Sequence, residues 1–401
     1  MVESLNLNIA LILTVGFAFA AILGYVSHRI KLSPIFGYLI AGYLIGPYSP
    51  GFVADQKTAE QLAEIGVLLM MFSAGMHFKW QDLFKVRRIA IPGAIGQTLI
   101  ATLIAAAVAT SMGWSLPSGI IFGLAIGVAS TMVLLRILSD NHLLTAPQGH
   151  VAVGWLIVED LITVFVLLLV PAIALYTPSE KGLLLQEIIY SGLQLLLKFI
   201  LLAVLMFTLG FKLVRYLLTK ISLTHYPELF TLTTLAITFA VALGSNKLFG
   251  TSIALGAFLA GMVMAQTRVH HRVSLKITPL KDTFAVLFFL TVGMLFNPAA
   301  IVHHFYLFLC ILGIILIVKP LTAFLLTLGL KYPVNTALTV AVGLAQIGEF
   351  SFILSEEAMR YHLLPAAGYD ILVACALVSI SINPLLFRLL PIAKRYTHCG
   401  K

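Results

Sequence analysis

Gly256-Ala-Phe-Leu-Ala-Gly261 repeats, after 256 − 37 = 219 residues, the pattern of Gly37-Tyr-Leu-Ile-Ala-Gly42. Two further matches keep nearly the same offset. Leu287-Phe-Phe-Leu-Thr-Val-Gly-Met294 follows Leu69-Met-Met-Phe-Ser-Ala-Gly-Met76 by 287 − 69 = 218 residues, and Leu354-Ser-Glu356 follows Leu138-Ser-Asp140 by 354 − 138 = 216. One such match is expected by chance in an apolar chain, but three in order at one offset point to an internal repeat.

What the repeat is made of follows from composition. Of 401 residues, 60% are hydrophobic and 10% are charged, against about 25% charged in soluble domains. Apolar runs broken by Pro, Gly and charge predict thirteen spans, near 7–27, 32–46, 58–77, 89–111, 117–138, 147–175, 187–219, 227–245, 250–266, 280–296, 304–329, 335–357 and 367–390. The repeat advances the pattern by seven spans. Seven is odd, so the second copy crosses the membrane upside down. Inverted repeats are a device of secondary transporters, in which pseudo-symmetric halves let one site face either side.

Charge placement orients the spans. With thirteen crossings, the face shared with the N-terminus carries 4 Lys and Arg (Lys57, Lys181, Lys247, Arg360), the other face carries 19, and Lys198 and Lys319 lie inside spans, so that 4 + 19 + 2 = 25. The basic side is cytoplasmic, which puts the N-terminus outside and the C-terminus inside. The net charge of +9 is thereby a topology signal, and no nucleic-acid partner is expected. Cys310, Cys375 and Cys399 have no metal or redox spacing, and neither a metal nor a cofactor is expected. The chain lacks His-Glu-x-x-His, and its buried acids are adjacent instead of spread over two helices as a catalytic dyad needs, so enzymatic chemistry is not expected.

Ionisable groups inside a membrane mark function by default, since each costs ~2.5–3.5 kcal/mol on insertion scales. Four fall near mid-membrane: Glu159, Asp160, Lys319 and Glu349. Adjacent carboxylates lie ~100° apart around a helix, so Glu159 and Asp160 can border one cavity and exchange a proton for a cation, with Lys319 offsetting their charge. The competing reading makes these groups two buried ion pairs that hold helices together. Spans 117–138 and 335–357 contain Gly127-Val-Ala-Ser-Thr131 and Gly343-Leu-Ala-Gln-Ile-Gly-Glu349. Small and polar residues at that depth predict helices that unwind there and offer carbonyls, hydroxyls and helix ends to an ion. Close helix packing is the alternative.

Taken together, Pro34-Ile-Phe-Gly-Tyr-Leu-Ile-Ala-Gly-Tyr-Leu-Ile-Gly-Pro47, Ala129-Ser-Thr131, Glu159-Asp160, Leu255-Gly-Ala-Phe-Leu-Ala-Gly261 and Gln346-Ile-Gly-Glu-Phe350 resemble the monovalent cation:proton antiporter-2 family. That family includes Kef-type potassium/proton exchangers and related sodium/proton exchangers, and the resemblance covers nearly the whole chain. It implies an all-α polytopic fold of thirteen helices with two crossed, discontinuous helices. It implies a dimerisation part (1–80 and 220–298), a linker helix (187–219) and an ion-transport core (87–176 and 303–391) that moves like an elevator. By resemblance Asp160 binds ion and proton alternately, Glu159 pairs with Lys319, and Ser130, Thr131 and Glu349 line or stabilise the crossing, supported by Gly127, Ala129, Gln346 and Gly348.

The resemblance further implies a homodimer among lipids of the bacterial inner membrane and an exchange of K+ or Na+ for H+, with a gated, channel-like cation pathway through the same site as the alternative. Kef-type members carry Gln-Asp where this chain has Glu159-Asp160, and electrogenic sodium exchangers carry Asp-Asp. Many also continue into a cytoplasmic nucleotide-binding regulatory domain, which is expected to be separate or missing here, since the sequence stops soon after its last span.

Overall fold

A computed structural model describes residues 9–30, 32–50, 54–77, 80–144, 146–174, 193–194, 197–198, 200–224 and 226–398. The described residues are helical, in the order α1 (Phe17–Arg29), α2 (Pro34–Ile45), α3 (Gln56–His77), α4 (Trp80–Ser111), α5 (Leu116–Gly127), α6 (Thr131–Asp140), α7 (Pro147–Ala174), α8 (Phe211–Ser222), α9 (Pro227–Phe249), α10 (Ile253–Ala265), α11 (His270–Leu295), α12 (Ala299–His303), α13 (Phe305–Gly313), α14 (Lys319–Gly329), α15 (Val334–Gly343), α16 (Glu349–Arg360) and α17 (Ala366–His398). Among them nine helical stretches are long and apolar enough to cross a membrane, and Pro34–Ile45, Leu116–Gly127, Ile253–Ala265 and Val334–Gly343 are shorter apolar helices. Of the expected linker helix, residues 187–192, 195–196 and 199 lie outside the described residues, and Ile200–Ser222 is one of the nine long stretches. Cys399 also lies outside them, while Cys310 and Cys375 are free thiols.

Helix starts follow local chemistry. Ser33, Ser115 and Ser252 sit extended before α2, α5 and α10, and each hydroxyl accepts a backbone N–H of the first turn (Ile35, Ser118 and Leu255), the ordinary serine cap. Asp55 does the same for α3 by accepting from the backbone and hydroxyl of Thr58, which holds its carboxyl below the usual range.

The chain forms two compact units. The first comprises Met1–Ala18, Ala54–Lys79 and Leu167–Thr291. In it α3 lies against α10, which also packs on α9. A methyl group on Gly75 would stand 2.1 Å from the Phe258 carbonyl oxygen, and one on Gly261 would stand 2.1 Å from that of Phe72, so backbone touches backbone at both ends of the contact. The second unit comprises Phe19–Val53, Trp80–Val166 and Val292–Lys401. There Gly293, the repeat mate of Gly75, approaches the Leu39 carbonyl with the same 2.1 Å limit. The repeated glycine motifs therefore pair crosswise between copies, Gly75 with the Gly256–Gly261 motif and Gly293 with the Gly37–Gly42 motif. In the same unit α4 packs on α5 and α14, α14 on α15, α5 on α16, and both α15 and α16 on α17.

Two expected spans are interrupted. Residues 117–138 resolve into α5 and α6, separated by extended backbone at Val128 and Ser130. Residues 335–357 resolve into α15 and α16, with Gly348 extended at φ −105°. Three π-helical turns, invisible in the sequence pattern, occur among the described residues, at Ile12–Gly16, Met206–Gly210 and Ile314–Val318, and the last joins α13 to α14 and delivers Lys319 followed by Pro320. Proline removes one backbone donor and clashes with the turn before it, and π turns of this kind collect at functional sites.

Candidate functional site at the crossing of two broken helices

Breaking a helix inside a membrane strands backbone donors and acceptors that lipid cannot satisfy. Here several of the freed groups near the crossing are met by protein. The carbonyl of Ile126 accepts from Lys319 Nζ at 3.0 Å, that of Gly127 from Gln97 Nε2 at 3.1 Å, and that of Val128 from the Gly348 N–H at 3.2 Å. On the partner segment, the Gln346 carbonyl accepts from the same Lys319 Nζ at 3.0 Å, and the Val342 carbonyl accepts from Asn383 Nδ2 at 2.6 Å. Gln346 Nε2 spans the gap, donating to the carbonyls of Ser130 and Gly343 at 3.3 Å each. The two extended segments touch where Gly348 meets Ala129. A methyl group on Gly348 would lie 2.5 Å from the Ala129 carbonyl oxygen, so any side chain there would push the segments apart.

Charges follow the helix dipoles. The ammonium of Lys319 sits where α5 and α15 end, at their partly negative carbonyl termini, and the acids sit where α6 and α16 begin. Glu159 on α7 accepts the Ala129 N–H through Oε2 at 2.9 Å. Glu349 is the first residue of α16 and accepts from Ser130 Oγ at 3.0 Å, while the same oxygen caps α6 by taking the Val133 N–H at 3.2 Å. Asp160, next to Glu159, accepts from Thr131 Oγ1 through Oδ2 at 3.2 Å. Two successive side chains of one helix thus reach the same unwound stretch. Glu159 and Lys319 are 0% exposed within the chain and Asp160 is partly so.

All of the expected site residues meet at this crossing. One expectation changes in detail. Lys319 spends its hydrogen bonds on helix-end carbonyls, and its attraction to Glu159 acts through space. Lys319 directly follows the π turn, and its ammonium lies between the Ile126 carbonyl of α5 and the Gln346 carbonyl beyond the end of α15. Two participants were not singled out from the sequence. Gln97 and Trp155, both 0% exposed, join the network through a Trp155 Nε1 to Gln97 Oε1 bond of 3.1 Å. A lone Gln in the apolar run of α4, and a Trp one helical turn before Glu159, are the signals that could have found them.

The arrangement suits a cation and a proton. Glu159 Oε1, Asp160 Oδ1 and Gln346 Oε1 are buried oxygens without a hydrogen-bond partner, and buried acceptors left bare are uncommon. Three carboxylates, those of Glu159, Asp160 and Glu349, share the crossing with one ammonium, and both neighbouring acids repel charge on Asp160. Hard oxygen ligands with an excess of negative charge attract a small cation or a proton. No group of His, Cys, Asp and Glu able to hold a metal ion occurs among the described residues.

Comparison with known proteins agrees with this chemistry. The family profile described as "Sodium/hydrogen exchanger, transmembrane" matches residues 16–390. An Escherichia coli (strain K12) protein provisionally named cation/proton antiporter YbaL is 45% identical over 380 residues, which cover 94% of this chain and 67% of that protein. The K(+) efflux antiporter 5 of Arabidopsis thaliana is 31% identical over 382 residues, covering 95% of this chain and 66% of that protein. The chain thus spans about two thirds of the length of these two relatives. The structure of the sodium proton antiporter MjNhaP1 from Methanocaldococcus jannaschii at pH 8 superposes with a TM-score of 0.71 at 18% identity, covering 96% of this chain and 99% of that one. That likeness establishes a shared fold.

Proposed function

The chain belongs to the sodium/hydrogen exchanger family, multi-pass membrane exchangers of a monovalent cation for protons, and from that premise we propose that Asp160 is the group at which cation and proton replace one another. The observation that carries this reading is the bare Oδ1 of Asp160, whose charge Glu159 and Glu349 both oppose, in a cluster where Glu159 Oε1 and Gln346 Oε1 are bare as well. A carboxylate in that position is neutralised by a proton or by a cation, and not by both at once. Thr131 and Ser130 contribute hydroxyl oxygens, Gln346 a carbonyl oxygen, and Lys319 keeps the local charge low enough for the site to empty.

In this reading the chain crosses the bacterial inner membrane thirteen times, with its N-terminus outside and its C-terminus in the cytoplasm. Residues 87–176 and 303–391 form the transport core. They move as an elevator against residues 1–80 and 220–298, through the linker 187–219, within a homodimer. The cargo is K+ or Na+, the two cations that the names of the relatives mention.

Competition at one carboxylate has a quantitative signature. In the pH range where the acid is protonated, each unit of falling pH weakens the apparent cation affinity about tenfold, because one proton must leave for each ion bound. Calorimetric titration of the purified protein with KCl and NaCl across several pH values measures this slope. A slope of one is expected, and a pH-independent affinity contradicts the competition.

A further inference from the structure

The inverted repeat runs on past the crossing into the helices that follow it. His142-Leu-Leu144 recurs as His362-Leu-Leu364, 362 − 142 = 220 residues later. Both histidines are left-handed, at φ 55° and 56°, and they close α6 and α16 in the same way. The Leu143 N–H bonds the Leu138 carbonyl at 2.8 Å, and the Leu363 N–H bonds that of Ala358 at 2.9 Å, the six-to-one bond of a Schellman ending. Positions in α7 therefore have mates in α17 at that offset. Glu159 corresponds to Ser379 (159 + 220) and Thr163 to Asn383 (163 + 220).

The correspondence extends to contacts. Ala129 and Ile347 each stand one residue before the N-cap of the second half-helix, Ser130 and Gly348. The Ala129 N–H is accepted by Glu159 Oε2 at 2.9 Å, and the Ile347 N–H by Ser379 Oγ at 3.4 Å. The Ser379 hydroxyl donates to its own helix at the Ala376 carbonyl, which leaves a lone pair for Ile347. The same backbone donor is thus met from the same position of the following helix, by a carboxylate in one copy and a hydroxyl in the other. One turn beyond Ser379, Asn383 Nδ2 donates to the Val342 carbonyl at 2.6 Å, whereas its mate Thr163 bonds only the Glu159 carbonyl of its own helix. Ser379 and Asn383 are both fully buried.

These contacts bracket the unwound segment at Val342 and Ile347. Between them lies Gln346, whose Nε2 is taken by the Gly343 and Ser130 carbonyls and whose Oε1 is bare. Two residues beyond Ile347, Glu349 opens α16. We propose that Ser379 and Asn383 are positioning residues that clamp the α15–α16 break from α17 and set the affinity of the exchange site for its cation by fixing Gln346 and Glu349. The inference rests on the exchanger reading above. Without the clamp the segment keeps its bonds to Lys319 and to the Val128 carbonyl, so the fold persists while the oxygens that meet the ion lose their fixed places.

The test compares the wild type with Ser379→Ala, Asn383→Leu and Ser381→Ala. In liposomes it reads the KM for K+ and Na+ and the maximal rate of cation-dependent proton flux per folded transporter, and calorimetric titration at one pH gives the cation Kd. Ser379→Ala and Asn383→Leu are each expected to raise KM and Kd by roughly two- to tenfold, the effect of one neutral hydrogen bond, with the maximal rate little changed. The larger rise is expected at Asn383, whose bond is the shorter. Ser381→Ala removes a hydroxyl on the same helix that bonds only the Leu377 carbonyl of that helix, and should leave KM and Kd as they are. Ser379→Ala deletes a single oxygen and carries the test should Asn383→Leu fail to fold. Coupled wild-type flux with KM and Kd unchanged in Ser379→Ala and Asn383→Leu, whether or not their unfolding temperature or maximal rate falls, overturns this inference alone. Absence of coupled flux in the wild type overturns the functional reading beneath it, and this inference with it.

Discussion

Asp160→Asn folds like the wild type and moves no protons in response to K+ or Na+. The amide is isosteric with the carboxyl, and the Thr131 hydroxyl that now donates to Oδ2 at 3.2 Å can be accommodated by either face of an Asn. The substitution also removes one of three clustered negative charges, so stability is retained or raised. Transport is a different matter. A neutral amide neither takes up a proton nor supplies the charge that holds a cation, and coupled flux should drop to the level of protein-free liposomes. Thermal unfolding in detergent alongside dye-reported flux separates the two effects. Retained exchange in a folded Asp160→Asn protein would remove Asp160 from the mechanism.

The second large effect is expected at Lys319, and it is mainly one of stability. Its ammonium is fully buried and bridges the Ile126 and Gln346 carbonyls, one from each broken helix. Lys319→Met strands both carbonyls and leaves Glu159 without its compensating charge. Breaking a buried charge arrangement by removing one partner costs about 3–5 kcal/mol, visible as a lower unfolding temperature or denaturant midpoint. Adding Glu159→Gln to Lys319→Met removes the orphaned charge, and part of the loss should return. A double-mutant cycle reads that coupling, expected at ~0.5–3 kcal/mol. Strictly additive losses would mean that the two groups do not sense each other.

Much of this site was legible in the sequence because membranes make polarity conspicuous. Glu159, Asp160, Lys319 and Glu349 stand out against apolar neighbours, and the structure gathers all four at one crossing. The breaks at Val128–Ser130 and around Gly348 were announced by small and polar residues at mid-span, and the crosswise pairing of Gly75 with the Gly256–Gly261 motif and of Gly293 with the Gly37–Gly42 motif is the physical form of the sequence repeat. What the sequence concealed is direction. Nothing in Ile-Leu-Ile-Val preceding Lys319 announces a π turn, or that the ammonium beyond it meets two carbonyls instead of a carboxylate. Gln97 and Trp155 were hidden for another reason. One neutral amide and one aromatic ring inside helices are common as packing residues, and only the 3.1 Å contacts across α4, α5 and α7 give them a task. Glu349 reads as a mid-helix acid in sequence, yet it opens α16, where its charge faces a helix N-terminus.

The most direct measurement is coupled flux through the wild-type protein. Purified protein is reconstituted in liposomes that enclose a pH-sensitive dye, and K+, Na+ or Li+ is added outside in turn. The account requires saturable proton movement opposite to the added cation, at carrier rates, for at least one of K+ and Na+, and it requires that movement to vanish in Asp160→Asn. Cation entry without accompanying proton movement, at rates above those of a carrier, would contradict exchange and identify a channel-like pathway through the same crossing.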